Sequence, residues 1–487
     1  MSLREKAVKG VLWSAIQNWG SNLLSLVVLL VLARLLDAEA FGLVAMGFVF
    51  TGFMAVFLRQ GFGQAIIQRD NLEAEHLDTA FWISVAAGVV LTAVGIAAAD
   101  LVAALFREAE LAPVVRWLSL SFLIGAFSNT QQAILQRRLA FKSLAIRSLV
   151  GSAAGGCAGI VMALMGCGVW SLVGQSLTQS LVSVVVLWYA SGWRPGFRVS
   201  SSHARDLFSF GLSIIGIELL NFVNRRLDHL LIGCFLGSVP LGYYTIAYAL
   251  VLRTVQMLTQ TVSPASLPTF SRLQHSPDQM RHAFLTATRM MSLLAFPVFL
   301  GMSVLAPELV VVLFGVKWAP SIPVMRVLAF IGILQSVLFF NGAVMLASGK
   351  PTWHLGLTLL NALVNVVAFI IVVRWGIVWV ASAFVIRGYL LSPLTVWVTN
   401  RIIGVGFGTY LSRYGASLVA SLGMVAVVGG AGYSLTGVVS LQILLPLCIL
   451  VGVVVYSLTV LLIAPTLARE ALELMRLALH LRIGTQR

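Results

Sequence analysis

Long apolar runs separated by short polar connections recur along the whole chain. They fall at residues 11–32, 43–58, 79–105, 113–135, 144–165, 168–190, 208–236, 242–266, 287–314, 321–348, 352–374, 376–399, 413–436 and 438–463. A membrane-crossing helix needs about 20 mostly apolar residues, and inside a bilayer the backbone can bond only to itself. The pattern predicts an all-α, polytopic membrane protein with about fourteen transmembrane helices. The first run is too long for the apolar part of a secretory signal. Ala38-Glu39-Ala40 after it is therefore read as a loop and not a cleavage site.

Composition strengthens this reading. The chain has 487 residues, 59% of them hydrophobic and 10% charged, with a mean hydropathy of +0.97. That leaves too little polar surface to cover a soluble domain. The net charge of +15 could suggest nucleic acid, but the basic residues come in small groups between apolar runs. Such grouping sets topology instead. One side of the membrane receives 22 Lys and Arg, among them Arg4, Arg137, Arg138, Lys142, Arg147, Arg194, Arg281, Lys350 and Arg401. The other receives 6: Arg34, Arg107, Arg116, Lys317, Arg326 and Arg374. Both termini are thus expected in the cytoplasm. In the tail, Leu467, Ala471, Leu474, Ala478 and Leu481 lie opposite Arg469, Glu473, Arg476 and His480. That pattern suits a helix on the membrane surface.

An internal repeat organises the helices. Leu36-Asp37-Ala38-Glu39-Ala40-Phe41-Gly42 aligns with Leu236-Gly237-Ser238-Val239-Pro240-Leu241-Gly242 at an offset of 200 residues. Each copy joins the first two helices of a six-helix unit. The implied domains are two parallel six-helix lobes at 1–206 and 207–400, two extra transmembrane helices at 401–464, and a cytoplasmic amphipathic tail at 465–487. Gly151, Gly155 and Gly159 recur every four residues, which suits close helix packing. Pro264, Pro297 and Pro393 fall within predicted helices, where they would bend the axis.

Candidate chemistry concentrates in one run, Phe210 to Gly237. Glu218, Asn221, Arg225 and Asp228 are spaced three, four and three apart, which puts them on one helical stripe. A charge at mid-membrane costs about 2.5–3.5 kcal/mol on insertion scales, so such groups face a partner or a wet cavity. Arg225, Arg253 and Arg387 each come out roughly 15 Å from the outer end of a helix, near the midplane. Arg226 lies about 100° around the helix from Arg225, off the stripe. The first lobe offers Gln17, Asn18, Asn22, Asn129, Gln131 and Gln132 instead. A cavity cationic on one wall and rich in amides on the other would bind the phosphates and hydroxyls of an anionic, sugar-bearing substrate. The alternative is a structural charge network, with Arg225 neutralising Asp228 and Glu218 pairing Arg226 or Arg253. Glu218 and Asp228 are also the candidates for ion coupling, since a desolvated carboxylate exchanges a proton readily. No Walker loop, HExxH or Gly-x-Ser-x-Gly elbow is present, and neither the four cysteines nor the seven histidines show metal-ligand spacing. Cys167 and Cys234 both come out near the outer surface, which makes a disulfide between them conceivable.

Several stretches carry a family likeness. They are Met1–Lys6, Leu32–Gly42, Ala65-Ile66-Ile67-Gln68-Arg69, Leu135–Lys142, Asp228–Gly242, Pro268–Gln274 and Phe314–Trp318. With these the chain resembles lipid-linked oligosaccharide flippases of the colanic-acid-exporter (Wzx-like) type. These belong to the polysaccharide transporter family of the multidrug/oligosaccharidyl-lipid/polysaccharide (MOP) superfamily. The resemblance implies movement of undecaprenyl-diphosphate-linked repeat units across the bacterial inner membrane by alternating access, for exopolysaccharide or lipopolysaccharide biosynthesis. It implies no cofactor, H+ or Na+ coupling, a monomer, and polymerase or export partners. Cys234-Phe235 departs from the family pattern, which usually has a basic-aliphatic pair there. Two rivals differ in what they need. A multidrug or cation antiporter of the same superfamily needs an acidic, aromatic cavity. A membrane polysaccharide polymerase or ligase needs a large outer loop bearing basic residues and histidine.

Overall fold

The structure is a computed structural model and describes residues 3–58, 66–67, 73–197, 201–260, 263–435, 437–467 and 469–470. The motif residues Ala65 and Gln68-Arg69 lie outside the described residues, as does the tail from 471 onward. The regular elements are helices. In order they are α1 (Leu3–Leu35), α2 (Ala38–Leu58), α3 (Ala74–Phe106), α4 (Leu111–Arg137), α5 (Phe141–Leu164), α6 (Val169–Ser191), α7 (Ser201–Leu236), α8 (Ser238–Gln260) and α9 (Ser263–Arg272). There follow α10 (Pro277–Val304), α11 (Ala306–Leu313), α12 (Ser321–Val337), α13 (Phe339–Ala347), α14 (Pro351–Val372), α15 (Ile377–Ile403), α16 (Phe407–Ser412), α17 (Gly415–Leu435) and α18 (Leu441–Ile463).

Twelve spans among the described residues are long and apolar enough to cross a membrane, with α12 and α13 together forming one of them. Helices α7 and α8, of 36 and 23 residues, are long enough as well. The total agrees with the fourteen apolar runs. Pro297 and Pro393 lie inside α10 and α15. Pro264 is the second residue of α9, and the two residues before α9 lie outside the described residues. All four cysteines are free, so the Cys167–Cys234 bridge does not form.

Contacts divide the chain into two units, Met1–Ile246 with Asn361–Val380, and Ala247–Leu360 with Ala381–Arg487. In the first, α5 packs on α6 and α1, α3 packs on α4, and α2 touches α4 and α7. The glycine spacing of α5 explains its closest contact. A Cβ added at Gly155 would lie 2.7 Å from the Gln175 carbonyl oxygen, and one at Gly159 would lie 2.9 Å from Gln175 Cβ. Only glycine lets α6 come this near. Buried Asp78 and half-buried Trp82 on α3 pin the segment after α6. Asp78 accepts the Gly196 N–H at 2.9 Å, and Trp82 Nε1 donates to the Gly196 carbonyl at 2.8 Å. In the second unit α10 packs on α12 and α17, and α17 on α18. Their seam buries Leu305, Met424, Val428, Leu444 and Cys448.

The repeated segments meet each other within the first unit. A Cβ built at Gly42 would fall on the carbonyl of Ser238, 2.9 Å from its Cα. One at Gly242 would fall on the carbonyl of Ala38, 3.0 Å from its Cα. The two contacts interchange under the 200-residue offset of the sequence repeat. Reciprocity of this kind requires a local two-fold axis between two copies of one motif. Gly42 and Gly242 occupy the same position in α2 and α8, four residues after each helix begins. The starts of these helices therefore cross with backbone against backbone.

Candidate functional site

Helix α7 presents different residues to different neighbours. Phe222 packs edge-on against Phe53 of α2, with ring centroids 5.8 Å apart. Asn224 accepts a hydrogen bond from Asn365 Nδ2 of α14 at 3.2 Å, and Asn365 is 1% exposed. Asp228 and His229 are buried against α8. Arg225 and Arg226 remain exposed.

Asp228 does not neutralise Arg225. Its Oδ2 accepts the Tyr244 hydroxyl at 2.8 Å, while Oδ1 accepts the His229 backbone N–H at 2.8 Å and lies 2.9 Å from His229 Nδ1. The ring of His229 stands edge-on to that of Tyr244, centroids 5.4 Å apart. The carboxylate is thereby satisfied inside the α7–α8 hairpin by groups its own sequence neighbourhood supplies. A charge network between Arg225 and Asp228 is therefore absent. Glu218 is half-buried. Among the described residues no hydrogen bond or ion pair reaches Glu218, Arg225 or Arg226. Replacing Tyr244 by Phe would strand one acceptor of a buried carboxylate. The expected cost is about 1–3 kcal/mol, measurable as a lowered unfolding temperature of the purified protein in detergent.

The amides of the first unit divide into two groups. Gln131 is fully buried and, with its amide oriented to satisfy both neighbours, donates to the Phe127 carbonyl at 2.6 Å and accepts from Trp188 Nε1 at 3.2 Å. It holds α4 to α6 and does not face a wet surface. Gln17 and Gln132 meet consecutive residues of α5. Gln17 Nε2 donates to Ser148 Oγ at 3.1 Å, and Gln132 Oε1 accepts from Arg147 Nη1 at 2.8 Å. Asn18, Asn22 and Asn129 are half-buried.

Arg147 is a residue that the charge tally assigns to the cytoplasmic loops. The structure puts it six residues into α5, about 9 Å along the helix. Its Nε is buried and has no hydrogen-bond partner. In sequence, a basic residue near a helix end looks the same whether it anchors the helix or lies within the span. The first unit therefore carries a cation within a helix of spanning length, beside its amides.

Arg253 and Arg387 belong to the second unit. Arg253 is half-buried on α8. Arg387 is 9% exposed on α15, with its guanidinium 5.3 Å from the centre of the Phe384 ring, one turn away. That is a cation–π contact within the helix. A separate cavity of about 520 Å³ in this unit is lined by Pro297, Leu305, Met424, Cys448, Gly452 and Tyr456 among others. Its apolar walls offer nothing to a phosphate. No group of three or more His, Cys, Asp or Glu able to hold a metal ion occurs among the described residues.

Residues 31–323 match the model of a family described as "Polysaccharide biosynthesis protein". The teichuronic acid biosynthesis protein TuaB of Bacillus subtilis is 27% identical over 434 residues, covering 87% of this chain and 89% of TuaB. The lipopolysaccharide biosynthesis protein WzxC of Escherichia coli is 26% identical over 445 residues, covering 90% of each. Among solved structures, the lipid II flippase MurJ in an inward closed conformation superposes with a TM-score of 0.76. That match has 14% identity and covers 93% of this chain and 99% of MurJ. It speaks for the fold.

Proposed function

We propose that this chain, which belongs to the polysaccharide biosynthesis protein family, flips lipid-linked oligosaccharides. Undecaprenyl-diphosphate-linked repeat units would move from the cytoplasmic to the outer leaflet of the inner membrane by alternating access. The names of the relatives support a role in surface-polysaccharide biosynthesis. The observation that carries the reading is the pair Arg225 and Arg226, exposed on a helix of spanning length with no described partner. Guanidinium groups left uncompensated in a span are expensive. A diphosphate, with two charges and several acceptor oxygens, offers them the forked geometry they bind best.

In this reading the arginines hold the diphosphate, Gln17 and Gln132 are the amides at hand for sugar hydroxyls, and the polyprenyl chain stays in lipid. Glu218 is the better candidate for H+ or Na+ coupling, because the Asp228 carboxylate already has three donors around it. The excess of Lys and Arg on one side supports cytoplasmic termini. Unpartnered cations argue against the antiporter, whose cargo is itself positive. The fold of a transporter family argues against a polymerase or ligase.

Expression in a strain lacking its own flippase tests the proposal. Surface polysaccharide should return, and the lipid-linked repeat unit accumulated on the inner leaflet should fall to the level of the parent strain. Unchanged accumulation, with the protein present in the membrane and the matching repeat unit supplied, would contradict it.

A further inference from the structure

We propose that Arg147 is a substrate-contacting residue that binds the diphosphate at the cytoplasmic end of the first unit, and that Gln132 aims it. The assignment rests on the flippase reading and extends it to a residue on α5 with no place in the α7 stripe.

Six described arginines outside the α7 stripe have a carboxylate or a backbone carbonyl as partner. Arg116 meets Asp100 at 2.7 Å, Arg281 meets Asp278 at 3.4 Å, and Arg289 meets Glu470 at 3.3 Å. Arg137 donates to the Ile66 carbonyl, Arg138 to that of Ser191 and Arg194 to that of Trp188. Arg147 has neither a carboxylate nor a backbone carbonyl among the described residues. Its described partner is the Gln132 amide oxygen, which takes Nη1 and carries no charge. The buried Nε–H is left without an acceptor.

A half-buried cation with a buried, unfilled Nε on a helix of spanning length calls for an anion. The geometry indicates which kind. Gln132 takes one Nη1 donor of the guanidinium, and the other Nη donors keep the fork that phosphate oxygens suit. The next residue, Ser148, is held from the other side by Gln17, so hydroxyl and amide groups flank the same stretch of helix. Lys142, five residues earlier, is drawn toward α1, its Nζ 5.7 Å from the Trp13 ring centre. It does not compete for the anion Arg147 would take.

The test is binding of undecaprenyl diphosphate to the purified full-length protein in lipid nanodiscs, with inorganic pyrophosphate as competitor. Arg147→Ala should weaken binding at least tenfold, and Arg147→Lys, which keeps the charge but loses the fork, should fall between. Gln132→Glu is the more discriminating variant. It supplies the missing carboxylate inside the protein, so thermal stability should rise while affinity falls at least tenfold. A merely structural Arg147 would show the first effect without the second. Competition by pyrophosphate would assign the contact to the headgroup alone. Failure to compete, with Arg147→Ala and Gln132→Glu still defective, would assign it to the lipid-linked form. If wild type binds and all three variants bind equally well, the assignment of Arg147 is wrong and the flippase reading stands. If wild type binds no diphosphate lipid, both fall.

Discussion

Alanine at Gly42 or at Gly242 is expected to abolish transport and lower stability, and the two substitutions should do so to a similar extent. Each new methyl group would fall on a backbone carbonyl, at Ser238 in one case and Ala38 in the other. A backbone cannot rotate aside as a flexible side chain can. Overpacking against movable side chains already costs about 1–3 kcal/mol, and here α2 and α8 would have to separate along their first turns. The tightly packed hairpin behind the crossing would move with them, because Gly233 lies against Phe106 and Met46. The check is expression level, unfolding temperature and polysaccharide export for Gly42→Ala and Gly242→Ala, beside Gly423→Ala as a control. Gly423 has nothing within 4 Å of an added Cβ and should tolerate the change, gaining slightly from better helix propensity. Unequal effects at Gly42 and Gly242 would argue against the reciprocal crossing.

Arg225→Ala should cut transport at least tenfold while leaving the unfolding temperature within a degree or two of wild type. The side chain is exposed and no described partner is lost with it. Asp228→Asn should behave in the opposite way. It disturbs a buried carboxylate bonded to His229 and Tyr244, so stability falls first and transport follows. The contrast separates a ligand contact from a structural one on residues only three apart. Arg225→Lys keeps the charge without the forked donors and should retain part of the activity. A stability loss at Arg225 equal to that at Asp228 would restore the charge-network interpretation.

Much of the fold was readable before any coordinates. Fourteen apolar runs predict fourteen spans because a bilayer imposes both the length and the helical form of whatever crosses it. The glycines of α5 and the repeat at residues 36–42 and 236–242 were legible because backbone contact admits only one residue type. What the sequence hid is tertiary. Periodicity put Asp228 on the stripe with Arg225, but it could not show that Tyr244, on the next helix, would claim the carboxylate. Gln131 and Gln132 look alike in sequence, yet one closes a packing seam with Phe127 and Trp188 while the other reaches Arg147. Arg147 itself was masked by a sound rule, since basic residues at helix ends normally report topology. The start of α5 at Phe141, which puts the residue within the helix, and its hydrogen bond to Gln132 distinguish it.

The flippase reading meets its most direct test in reconstituted liposomes. Purified protein would be inserted into vesicles carrying a diphosphate-linked oligosaccharide lipid in both leaflets, and the sugar reachable by an externally added lectin would be followed with time. Wild type should bring the protected inner-leaflet sugar to the outside within minutes, while Arg225→Ala vesicles and protein-free vesicles keep it protected. Wild-type vesicles no faster than protein-free ones, or Arg225→Ala vesicles as fast as wild type, would contradict transport of the lipid through an arginine contact.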